Sequence, residues 1–182
     1  MKFALIVSHI LDPLWVIPAV TLLQAYKQGF VFTFVVMIFM LIIPLILRLL
    51  YTRGRNWDIS TRADRPKAIM VLLVLGLINW AIAALWGNPS ITSLFMFYEV
   101  WMAGYLIISM FWKISGHAGG MTMATGLFIH WYGWNWWPVL LLVPLMGWAR
   151  VVSKNHTVVQ VIAAVLYTWS ALVLYEAWQG IL

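Results

Sequence analysis

Residues 112–121 read WKISGHAGGM. Long apolar runs flank them, 91–112 before and 118–133 after, so a lysine, a serine, a histidine and three glycines gather at the end of a hydrophobic segment. Hydrocarbon offers polar groups no partners, and each group left unsatisfied there costs several kcal/mol. The stretch therefore marks a membrane boundary, and the runs on either side of it decide the fold class.

Working outward, apolar runs at 3–24, 30–51, 67–87, 91–112 and 156–178 are each long enough to span a bilayer, whereas 118–133 and 136–149 are shorter. The 182 residues are 64% hydrophobic and only 9% charged, with a mean hydropathy of +0.94. Such a chain is read as all-α, a polytopic transmembrane helical bundle of six to seven helices forming one integral membrane domain over 1–182, with no soluble domain. Without cysteine, disulfides and thiolate metal sites are excluded. The first run lacks a small-residue cleavage site after it and is expected to be retained. Trp131, Trp134, Trp136 and Trp137 fit an interfacial belt. No internal repeat is present, which argues against a small transporter.

Polar breaks fall at 52–66 (TRGRNWDISTRADRP), around Ser115 and at 149–156 (ARVVSKNH), with two apolar runs between each pair. All three should therefore emerge on one side of the membrane. The last two runs fall short of a full crossing, so the loops they join are expected to be recessed, like the floor of a cavity. Lys2, Arg48, Arg53, Arg55, Arg62, Arg65, Lys67, Lys113, Arg150 and Lys154 fall on that shared side, and Lys27 falls opposite. The positive-inside rule makes the shared side cytoplasmic. Seven spans would then leave the N-terminus inside and the C-terminus outside, in a membrane expected to be a prokaryotic inner membrane.

Three sets of polar residues share that side: Arg65-Pro66, then Ser115-Gly116-His117, then Arg150, His156 and Gln160. Phosphoryl chemistry needs such a set. Cations and N–H groups hold the negative oxygens, one imidazole attacks phosphorus and another protonates the leaving oxygen; the scheme needs no metal or other cofactor. In ISGHAGG, Ser115 can cap a helix whose first-turn N–H groups, with Gly116 allowing close approach, form an anion site. From His156 to Gln160 is one helical turn, so the Gln160 carbonyl could accept the Nδ1 hydrogen of His156 and leave Nε2 aimed at phosphorus. Taken alone, each block also fits an ordinary role: an N-cap beside an interfacial histidine, or Arg150 and Lys154 reaching toward headgroups.

In this order and on one side, the blocks resemble the type 2 phosphatidic acid phosphatase family, the membrane relatives of the vanadium haloperoxidases, and in particular its small prokaryotic members. RADRP (62–66) matches the family's first block, ISGHAGG the second and RVVSKNHTVVQ the third, a resemblance covering roughly residues 55–165. It implies that His156 is the nucleophile that forms a phosphohistidine and His117 the acid toward the leaving group. Arg65, Arg150 and the Ser115 and Gly116 backbone would then hold the phosphoryl oxygens. Two positions depart from the family. Its first-block lysine is Asp58 here, which shifts that role to Lys113 or Arg62, with Lys113 favoured; its acidic partner of the nucleophile is Gln160. The expected function is hydrolysis of a lipid phosphate monoester or diphosphate. The alternative is a weakened or inactive relative that binds an anionic lipid or serves as a membrane-complex subunit. Expected partners are the lipid phosphate substrate and membrane lipids, not nucleic acid; homo-oligomer or complex formation is left open.

Other polar residues lie within apolar runs. Glu99 falls near the middle of 91–112, a functional candidate by depth, or else a protonated group bonded to an indole or to Asn79. His9 and Asp12, three apart and followed by Pro13, suggest a local polar pair in a broken first helix. His130 is expected to be solvated.

Overall fold

The computed structural model describes residues 1–52 and 65–180. Its regular structure is helical: α1 (Lys2–Ile10), α2 (Pro13–Ala25), α3 (Phe30–Met37), α4 (Ile43–Thr52), α5 (Arg65–Trp86), α6 (Pro89–Phe111), α7 (Gly116–Tyr132), α8 (Leu142–Val152) and α9 (Val158–Trp178). A π-helical turn at Ile38–Ile42 joins α3 to α4. Among the described residues, five segments are long and apolar enough to cross a membrane: Lys2–Gln28, Phe30–Leu50, Arg65–Trp86, Pro89–Phe111 and Val158–Trp178. With the shorter α7 and α8 they make the all-α membrane bundle that the hydropathy pattern implies.

One boundary differs from the sequence expectation. The run at 136–149 is not one helix: Trp134–Leu141 forms 3-10 turns, and α8 begins only at Leu142. Gly133, at φ +88°, ends α7 in the left-handed region, and Pro138 removes a backbone donor just beyond it. The tryptophans of this stretch are exposed, as interfacial side chains are: Trp134, Trp136 and Trp137 each leave more than half their surface uncovered. The later start carries α8 through Arg150, which occupies its last turn instead of the following loop.

The chain forms two compact units, Met1–Val20 with Lys113–Leu182, and Thr21–Trp112. In the first unit α7 is the buried helix, with every residue from Ala118 to Leu127 inside. Met121, Val143 and Met146 pack together with Leu11, Val16, Leu142 and Val165 around them, and Ala4, Val7 and Ala149 seat α1 on α8. Glycines set the spacing. A Cβ built on Gly147 would lie 2.9 Å from Cγ1 of Val161, so α8 and α9 approach closely one turn from Arg150 and one residue from Gln160. Between α1 and α2 the chain breaks at Leu11–Asp12, where Pro13 lacks an N–H and Oδ1 of Asp12 accepts the Leu14 amide at 2.9 Å.

The second unit centres on the hairpin of α5 and α6. Asn88 caps α6 by accepting the Ile91 amide at 2.9 Å, and its Nδ2 donates to Oε1 of Gln28 at 2.6 Å. Thr21 and Tyr98 share a buried hydroxyl hydrogen bond of 2.8 Å. Glu99 is buried against Gly76, where no Cβ would fit. No hydrogen bond joins it to Asn79 or to an indole among the described residues, contrary to expectation, and Oδ1 of Asn79 is buried without a partner among them. The absent side chain of Gly76, not a donor from Asn79, makes room for the carboxylate.

Candidate functional site

The second block opens α7. Ser115, fully buried and extended (φ −86°, ψ 103°), accepts the Ala118 amide on its Oγ at 3.3 Å. The cap fixes the helix entry, so the first turn of α7 and its positive dipole end begin at Gly116-His117. Before it, the extended residues leading from α6 hold Lys113 half-buried.

The third block is a closed turn. Arg150, 2% exposed, donates from Nη1 to Oγ of Ser8 at 2.7 Å. Its own carbonyl accepts the amides of Asn155 and His156 at 3.1 and 3.2 Å, so the interval between the two site residues is folded back on itself by backbone bonds. Lys154 takes the left-handed conformation, φ 58°, that this turn demands. A glycine or asparagine would have announced the turn in the sequence; the lysine conceals it.

His156, 6% exposed, sits just before Thr157, the N-cap of α9. Its Nδ1 lies 3.2 Å from Oε1 of Gln160. The same oxygen accepts the Thr157 backbone amide at 3.1 Å while Oγ1 of Thr157 accepts the Gln160 amide at 3.3 Å, a reciprocal capping box. A backbone N–H can only donate, so the side-chain atom facing it must be the amide oxygen. That oxygen in turn requires a hydrogen on Nδ1 of His156, which leaves the lone pair on Nε2. The cap of α9 thus dictates the histidine tautomer.

The two blocks are stitched together where the Ser115 amide donates to the Gln160 carbonyl at 3.4 Å. Gln160 consequently holds the His156 ring through its side chain and the entry to α7 through its backbone. His117, one helical residue farther, has 13% of its side chain exposed, and its Nε2 lies 3.3 Å from Oδ2 of Asp12, itself 2% exposed. Sequence reasoning placed neither Ser8 nor Asp12 in this constellation. An aspartate before proline inside an apolar run is a visible oddity, but its contact is 105 residues away along the chain and has no local signature.

Arg65 opens α5 in the second unit and is half-buried. Asp58 and Arg62 lie outside the described residues. His130 is not solvated as expected: it is half-buried, with Nδ1 3.3 Å from Oε1 of Glu176, because α7 and α9 pack side by side along their lengths.

A 64-residue region of the chain is 40% identical to the lipid A 4'-phosphatase of Helicobacter pylori (strain J99 / ATCC 700824). The match spans 35% of this chain and 32% of that protein, about a third of each. No family model matches the chain, and no solved structure does.

Proposed function

We propose that the protein is a membrane lipid phosphatase that cleaves a lipid phosphate monoester or diphosphate through a phosphohistidine. The observation that carries this reading is the tautomer of His156: the capping box of α9 leaves Nε2 as the lone-pair nitrogen in a buried ring next to the Arg150 turn. The local similarity to a phosphatase named for a lipid supports it. So does the setting of the nucleophile, since Gln160 lies in the first turn of α9, a helix long and apolar enough to cross a membrane, where a lipid substrate would reside.

In the proposed reaction Nε2 of His156 attacks phosphorus as the bond to the leaving oxygen breaks, and His117 gives that oxygen its proton. Water then attacks the phosphohistidine, losing a proton to His117 as the N–P bond breaks and phosphate departs. Arg150, Lys113, the Gly116 amide that opens α7 and the dipole of that helix are assigned to the phosphoryl oxygens, the Ser115 amide being engaged by the Gln160 carbonyl. Gln160 orients the nucleophile. The whole chain is taken as one integral membrane domain with the site on the cytoplasmic side.

The second reading, a lipid-binding protein or complex subunit, rests on the neutral Gln160 where the resembled family has an acid. Phosphate release separates the two. Detergent-purified protein is incubated with phosphatidic acid, phosphatidylglycerol phosphate and polyprenyl diphosphate without added metal, beside His156→Ala. Release by the wild type alone is expected; no release from any of the three would exclude the phosphatase.

A further inference from the structure

Asp12 belongs to a segment that no motif reaches, yet its carboxylate is placed with care. The two oxygens have different tasks. Oδ1 accepts the Leu14 amide and starts α2, while Oδ2 faces Nε2 of His117 at 3.3 Å. The position is imposed from a second direction as well: α7 carries glycine at 120, one turn beyond His117, and a Cβ there would collide with the Pro13 ring. The break between α1 and α2 is therefore pressed against the first turns of α7, and Asp12 is buried there to 2% exposure.

The two histidines consequently have partners of different charge. His156 faces a neutral amide oxygen, which accepts a hydrogen bond without favouring a positive ring. His117 faces a carboxylate, the natural counter-ion of an imidazolium. We infer that Asp12 is the positioning residue of the general acid: it anchors the Nε2 side of the His117 ring, so that the proton passed to the leaving oxygen is the one on Nδ1. The carboxylate missing at position 160 has its counterpart at the other histidine, supplied from the N-terminal segment. This rests on the phosphatase reading above.

General-acid help matters for a poor leaving group and hardly at all for a good one, and that difference separates an acid's positioning residue from a purely structural one. Asp12→Asn suits the test because asparagine caps a helix as well as aspartate does, which preserves the start of α2. The full-length protein and the variant are assayed on two phosphate monoesters with the same apolar tail, one an alkyl ester and one a nitrophenyl ester. Expected is a fall in kcat on the alkyl ester of about a hundredfold, the lower end of what general acid catalysis supplies, with the nitrophenyl ester changed by less than about threefold. Equal losses on both esters, no loss on either, or a wild type that cleaves only the nitrophenyl ester would overturn the role of Asp12 and leave the phosphatase standing. A wild type inactive on both esters and on the lipid panel removes the phosphatase reading, and this inference with it.

Discussion

The Gln160 side chain lies 3.2 Å from the His156 ring while its backbone carbonyl receives the Ser115 amide at 3.4 Å. One residue thus couples the orientation of the imidazole to the entry of α7. If that coupling serves catalysis, changes at 160 should register in rate before they register in stability. Gln160→Glu keeps both side-chain acceptor contacts and adds a counter-ion for the imidazolium that forms on attack, so kcat should rise. Gln160→Leu removes the acceptor, frees the ring to take the wrong tautomer, and should lower kcat by about a hundredfold. Steady-state rates on the responsive lipid decide both.

Arg150 offers a second comparison. Lysine preserves its charge but not the planar fork that donates to Ser8 and, in the proposed reaction, to a phosphoryl oxygen. Arg150→Lys should therefore raise KM for the phosphorylated lipid more than it lowers kcat, whereas Arg150→Ala should also lower the melting temperature because it empties a buried position.

Ser115→Ala removes the side chain that caps α7. A lost N-cap costs about 1 kcal/mol. Thermal unfolding in detergent should report that loss, while the Ser115 amide, which the substitution retains, still reaches Gln160.

The glycines of α7 should not respond alike to alanine. At Gly120 the new methyl meets the rigid Pro13 ring, whereas at Gly126 it meets the end of the flexible Leu172 side chain. Gly120→Ala is expected to cost about 1–3 kcal/mol by overpacking and to displace Asp12 with its neighbour Pro13; Gly126→Ala should cost less. Melting curves of the two variants side by side give the comparison.

Lys154 occupies a left-handed conformation that costs an ordinary residue about 1–2 kcal/mol. Lys154→Gly should recover part of that and raise the melting temperature, and Lys154→Val should lower it, since a β-branched side chain fits that region worst.

Much of this protein is legible in one dimension. Run lengths and the scarcity of charge dictate an all-α membrane bundle, because a chain in hydrocarbon must satisfy its backbone internally. The four-residue step from His156 to Gln160 implies their contact, since it is one helical turn. Elements longer than a turn were less transparent: the 136–149 run split because Gly133 and Pro138 together outweigh apolar composition, and the Arg150 turn closed on a lysine instead of a glycine. What only the tertiary structure decided is which distant groups meet. Ser8 with Arg150, Asp12 with His117, Ser115 with Gln160 and His130 with Glu176 are pairs separated by 142, 105, 45 and 46 residues. Periodicity reports only which face of a helix is apolar, whereas these encounters depend on close approaches that glycines at 120, 126 and 147 permit between whole helices.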